Sequence, residues 1–202
     1  MTSRNTAKKH RTANNAQYAD LAVLGPPNTF TDLAAKKYER QQKKQLSKIY
    51  CTTIAGVFKA VEKGKAKKGI VPFKNNLRGP VAETTRALSK GGFVILKKWN
   101  RAIRHSLVAL SGVRGKEIRT ISSHPQALKQ CGNYLKKKYP LAQKISTNST
   151  MAALAKMVKR NDRKMAAIIP AETGRKSGMR ILAKNIADSK KNRTVFILIS
   201  GS

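Results

Sequence analysis

Few residues in this chain have types and spacings that could do chemistry. Ser123 and His124 adjoin in SHPQ, a hydroxyl beside an imidazole. A nucleophilic serine needs a base within hydrogen-bond reach and a third group to orient that base. The sequence offers Ser123 no such partner, so it reads as a cap for the helix starting at Pro125, and His124 as a structural histidine at the junction. Cys51 and Cys131 lie outside any CxxC or Cys/His ligand spacing. They read as two buried thiols of a reducing compartment, and neither a metal nor a cofactor is called for. Thr194 sits in an apolar, strand-like run, where a threonine often does no more than bond locally.

The elements that must position these groups follow from the apolar pattern. Residues 1–19 are polar and basic without periodicity and read as a flexible arm. Short apolar runs at 21–25, 49–51, 69–73, 93–99, 105–110, 120–122, 144–146, 165–169, 181–187 and 194–199 read as strands. Between them lie amphipathic helix patterns: 30–42, with Thr31 as the expected N-cap, then 53–64, 81–89, 125–138, 149–159 and 171–177. Strands alternating with helices predict an α/β fold with mainly parallel sheets and a ligand crevice at the strand ends.

Charge is the abnormal feature. The 202 residues hold 43 Lys+Arg against 9 Asp+Glu, a formal net charge of +34. So one-signed a surface predicts a polyanionic partner, nucleic acid ahead of an anionic membrane surface. The candidate contacts are Arg4, Lys8, Lys9 and Arg11 in the arm, then Lys36, Lys37, Lys43, Lys44, Lys65, Lys67, Lys68, Lys97, Lys98, Arg101, Arg104, Lys136, Lys137, Lys138, Lys159 and Arg160. Aromatic residues are only 5% of the chain, which argues against single-strand stacking and for backbone or shape contacts to structured RNA. No run of about 18 apolar residues occurs, so no membrane span is expected. The N-terminus lacks the apolar core of a secretory signal; the segment reads as a transit peptide or a retained basic arm.

Five stretches in order, LGPPNTFTDLAAKKY, GIVPFKNNLRGPV, ISSHPQALKQCGNYL, STNSTMAALAKM and AAIIPAETGRKSGMRILAKNIADSKKNRTVF, together resemble the prephenate dehydratase domain. The resemblance implies a two-lobed fold of the periplasmic-binding-protein-like type II, with a cleft between the lobes. Lobe 1 would comprise residues 20–98 and 179–202, and lobe 2 residues 99–178. Family dehydratases usually carry a C-terminal regulatory domain that binds phenylalanine. The sequence stops at Ser202, so a catalytic domain alone is expected.

The resemblance also implies site residues: Thr194 as the proton donor, with Asn75, Ser123, Gln130 and Thr29 around it. Three family positions depart. The family's Thr-Arg-Phe is Thr194-Val195-Phe196, its Glu-Asn-Ser is Lys74-Asn75-Asn76, and a loop glycine is Asn28. Valine can neither donate a hydrogen bond nor pair with an anion. Loss of one charge-assisted contact would cost about 2–5 kcal/mol. Degenerate motifs together with the net charge predict a non-catalytic relative reused as a structural, RNA-binding component of a cytoplasmic or organellar ribosome. Its partners would be ribosomal RNA, neighbouring ribosomal proteins and a candidate second copy of the chain. The alternative is a working or altered prephenate-processing enzyme, with a nearby lysine or arginine in place of the lost one.

Overall fold

The computed structural model describes residues 18–202. Arg4, Lys8, Lys9 and Arg11 lie outside the described residues, and Ala19, assigned to the arm, begins the first strand. In chain order the first lobe contains β1 (Ala19–Leu24), α1 (Phe30–Gln41), β2 (Lys48–Cys51), α2 (Ile54–Glu62), β3 (Ala66–Asn75), β4 (Gly79–Pro80), α3 (Ala82–Ser89) and β5 (Phe93–Ala102). The second contains β6 (His105–Ala109), β7 (Thr120–Ser123), α4 (Pro125–Gln130), α5 (Gly132–Lys138), β8 (Gln143–Ser146), α6 (Thr150–Lys159), β9 (Met165–Pro170), α7 (Ala171–Lys176) and β10 (Arg180–Lys184). The last strand, β11 (Arg193–Gly201), returns to the first sheet.

The first sheet runs β2-β1-β3-β11-β5, with β4 paired to β3. Leu21, Ala22 and Val23 of β1 are fully buried, as an apolar strand covered on both faces requires. On one face α1 covers Leu21, Ile70, Phe196 and Leu198; on the other α2 covers Val71, Ile197 and Ile199. Gly69 lets α2 approach, because a Cβ there would meet Val57 Cγ1 at 2.8 Å and Ile199 Cγ1 at 3.0 Å. The second sheet runs β10-β6-β9-β7-β8, with Ile121, Ile168 and Leu135 in one core and Met157, Met165 and Ile169 in the other.

Several expectations change. The sheets are mixed, not mainly parallel: β1–β2, β1–β3, β7–β8 and β7–β9 are parallel, whereas β11 inserts antiparallel between β3 and β5, and β6 is antiparallel to β9 and β10. The lobe boundaries shift with them. β10 pairs with β6 in the second sheet, so the chain re-enters the first sheet at Arg193 instead of residue 179, and β5 keeps the first lobe's sheet to Ala102. The helix expected over 125–138 is two helices, broken at Cys131 (φ −113°, ψ 14°). A distant residue holds both sides of the break, which falls beside Gly132. Asp188 N–H donates to Gln130 O at 2.8 Å, and the Asp188 carboxylate accepts from Asn133 N and Tyr134 N at 3.2–3.3 Å. Finally, α1 is preceded by Thr29 as N-cap, while Thr31 is buried in its first turn.

Candidate active site

Pairing of β3 with β11 sets Asn75 opposite Thr194. Asn75 is buried, and its Nδ2 donates to Asn192 Oδ1 (2.8 Å), Arg193 O (2.9 Å) and Thr194 Oγ1 (2.9 Å), while its Oδ1 accepts from Leu77 N (3.1 Å). One amide thus ties the entry of β11 to the end of β3. Its two hydrogens are shared among the three acceptors. Asn75 Nδ2 can only donate, so the hydroxyl hydrogen of Thr194 is left to donate elsewhere. Thr194 lines a cavity of about 390 Å³ between the lobes, together with Asn75, Gln130, Thr29 and His105.

Helix ends shape the rest of the cavity. Thr29–Thr31 at the start of α1, Thr52–Ile54 at the start of α2 and Asn148–Thr150 at the start of α6 all line it. Helix N-termini present backbone N–H groups and the positive end of the helix dipole, a setting for carboxylates. Thr53 and Ser149 use their side chains to cap their own helices, accepting from Gly56 N and Ala152 N at 3.0 Å. Thr29 makes no such cap bond, and its buried Oγ1 has no partner. No lysine or arginine lines this cavity among the described residues. Glu83, on its rim, accepts from Ala55 N at 3.1 Å.

The sequence reading missed His105. Its Nε2 lies 3.0 Å from Gln130 Oε1, its ring meets Phe30 edge-on at 5.2 Å, and its Nδ1 is buried without a partner. Burial lowers its pKa, with Gln130 opposing, so the imidazole is neutral at pH 7. The only signal for it was a histidine heading the short strand HSLVA, whose last three residues are apolar. His124, read as structural, also lines the cavity and is the N-cap of α4, its Nδ1 accepting from Gln126 N at 3.2 Å. Burial, then the charge of Arg78, lower its pKa.

Ser123 is neither a cleft residue nor the helix cap. It is fully buried, and its Oγ donates to Ile168 O at 2.7 Å, tying β7 to β9. The three departures from the family pattern also lie off the cavity wall. Lys74 and Val195 are opposite each other across β3 and β11, one residue from the Asn75–Thr194 pair. Successive side chains of a strand alternate faces, so the pair that lines the cleft turns its neighbours away. Asn28 has φ 67°, a left-handed conformation that asparagine tolerates next best after glycine. Its N–H donates to Asp32 Oδ2 (2.7 Å), its Oδ1 accepts from Lys36 Nζ (2.8 Å), and its carbonyl accepts from Thr173 Oγ1 (2.7 Å) in the other lobe. The turn built for glycine is retained.

Cys131 is buried, its thiol pushed up to about 12 by burial and then by Asp188. Cys51 is only half-buried, against expectation. Among the described residues no His/Cys/Asp/Glu cluster could hold a metal, and no helix is long and apolar enough to cross a membrane. Several of the candidate RNA contacts are engaged within the fold: Lys36 with Asp32 (2.8 Å), Lys67 with Asp20 (3.3 Å), Lys97 with Gln41 (2.9 Å) and Arg101 with Glu172.

A family model described as prephenate dehydratase matches residues 21–202. The chain is 33% identical over 201 residues to the bifunctional chorismate mutase/prephenate dehydratase of Buchnera aphidicola subsp. Schizaphis graminum, covering 99% of this chain and 52% of that protein. It is 33% identical over 175 residues to the prephenate dehydratase of Methanocaldococcus jannaschii, covering 86% of this chain and 62% of that one. The chain thus spans about half the length of the bifunctional relatives it matches. Among solved structures, the prephenate dehydratase of Arthrobacter aurescens in complex with L-Phe superposes with a TM-score of 0.81 at 29% identity, covering 90% of this chain and 60% of that one. These matches overturn the expectation of a ribosomal, RNA-binding component. These relatives all carry prephenate dehydratase in their names, alone or with chorismate mutase, and the substitutions that suggested a dead site lie off the cavity wall.

Proposed function

The chain belongs to the prephenate dehydratase family, and we propose that its cleft removes water and carbon dioxide from prephenate. The observation that carries this is Thr194. Its hydroxyl accepts from Asn75 at 2.9 Å and lines the same cavity as three helix N-termini. Prephenate bears two carboxylates and a ring hydroxyl. The N-termini of α1, α2 and α6 supply N–H donors and positive potential for the carboxylates without a cationic side chain. The Thr29 hydroxyl, buried and unpartnered, is a further donor to the substrate.

Thr194 donates its proton to the ring hydroxyl, which departs as water, and a proton from solvent restores the Thr194 hydroxyl after the products form, so one proton is consumed per turnover. The C–C bond to the ring carboxylate breaks, carbon dioxide leaves, and the electron pair from that bond completes the aromatic ring. The amide N–H of Asn75 stabilises negative charge developing on Thr194 Oγ1, the position where a weak acid needs help. Gln130 and neutral His105 hold each other on the opposite wall and keep that wall free of charge. No cation need replace Val195, because the cleft side of β11 is the side of Thr194.

A turnover assay on prephenate tests this. The wild-type chain should release carbon dioxide and an aromatic product. Thr194→Ala should lose about 10²–10⁴-fold in kcat. Absence of turnover in a folded wild-type chain would overturn the reading.

A further inference from the structure

A second cavity, of about 330 Å³, lies where the lobes meet, and it differs in chemistry from the first. Lys37, Arg101, Arg104 and Arg175 line it, with Glu172 as its one carboxylate. Glu172 is committed to Arg101 Nη2. Arg101 Nη1 donates to Leu33 O at 3.3 Å, and its Nε is buried without a partner. Among the described residues, Lys37, Arg104 and Arg175 form no ion pair. The cationic side chains that the proposed active site lacks are therefore gathered here. A concave site lined by one sign of charge focuses its field and raises the local concentration of counter-ions.

We propose that this cavity is a second anion site, holding a small oxyanion with two negative charges, a phosphate or a dicarboxylate. Planar guanidinium forks match both groups in bidentate geometry, and a buried, unpartnered Arg101 N–H is costly until an acceptor arrives. Lys37 and Arg101 come from the first lobe and Arg175 from the second, so the occupant ties the lobes together. Phe30 lines both cavities, and its ring packs on His105, so the occupant borders a wall of the cleft. The site is distinct in composition from the prephenate cleft, and its existence does not depend on turnover there.

Calorimetric titration of the chain with inorganic phosphate and, separately, with malonate tests the site, with ionic strength held constant by sodium chloride. One saturable site is expected, and the tighter of the two anions identifies the source. Arg104→Ser/Arg175→Ser, both positions exposed, should weaken binding about tenfold or more. Lys37→Ser should weaken it in the same direction, and Lys136→Ser/Lys137→Ser on α5 should leave it unchanged. Absence of saturable binding by either anion would overturn the proposal. So would binding that survives the double arginine substitution, since that places the anion in the cleft or on the general basic surface. An equal loss in the α5 control would overturn it as well.

Discussion

Lys74 and Val195 are cross-strand partners, and both face away from the cleft that their neighbours Asn75 and Thr194 line. The resemblance implies a glutamate and an arginine at these two positions. Opposite charges directly across an antiparallel pair stabilise a sheet by about 0.2–1 kcal/mol. The two departures that the resemblance implies therefore fall on one cross-strand pair.

Restoring that pair should therefore act on stability and not on chemistry. Lys74→Glu/Val195→Arg is expected to raise unfolding free energy by up to about 1 kcal/mol. Its kcat on prephenate should stay within about threefold of wild type, since neither position touches the cavity. Urea unfolding beside steady-state kinetics checks both. A large gain in kcat would put the pair back into the catalytic machinery.

Asn75 joins the fold to the chemistry. Asn75→Ala strands three acceptors and one N–H, so it should destabilise the chain by about 1–3 kcal/mol. It should also lower kcat, because Thr194 loses the donor that stabilises its developing charge. Kinetics well below the variant's melting temperature separate the two effects.

At residue 28 the backbone conformation outweighs the side chain. Asn28→Gly should cost less than about 1 kcal/mol, since glycine adopts φ 67° freely. Asn28→Ala should cost about 1–2 kcal/mol, because Cβ opposes the left-handed conformation. Equal melting temperatures for the two variants would contradict the assignment.

Stability should fall with acid in two windows. Burial lowers the pKa of His105 in the fold, so the unfolded chain binds its proton first. That contribution is complete above the unfolded value of about 6.5 and is lost as pH falls through the folded pKa. Burial alone would raise the pKa of Asp32, but bonds from Lys36, Tyr50 and Asn28 outweigh it and hold the carboxyl below its usual range. Its contribution is present above about pH 4 and lost below. Thermal denaturation between pH 8 and 3 should show a shallower loss near pH 6 in His105→Gln and near pH 3–4 in Asp32→Asn.

Most elements were legible because each has a local cause. The apolar runs of β1, β3 and β9 and the glycine and asparagine turns are properties of neighbouring residues. The single helix expected over 125–138 failed for the opposite reason. Asp188, more than fifty positions away, binds both sides of the break, and the one local signal, Gly132, is weak by itself. His105 was illegible as a cleft residue because its role depends on Gln130 and Phe30 arriving from other elements. The net charge misled because a count of lysines carries no positions, and several of those cations are held by acids and amides of the fold.

The sequence by itself determined the family, most of the order of strands and helices, and the segments that carry Thr194, Asn75 and Gln130, since motifs and periodicity are encoded locally. Only the tertiary structure decided which side of β11 faces the cleft. Side chains alternate along a strand, so a single residue separates the cleft face from the outer one. The pairing of β11 between β3 and β5, with its register shift after Val195, chooses between them. That choice turns Thr194 inward and Val195 outward.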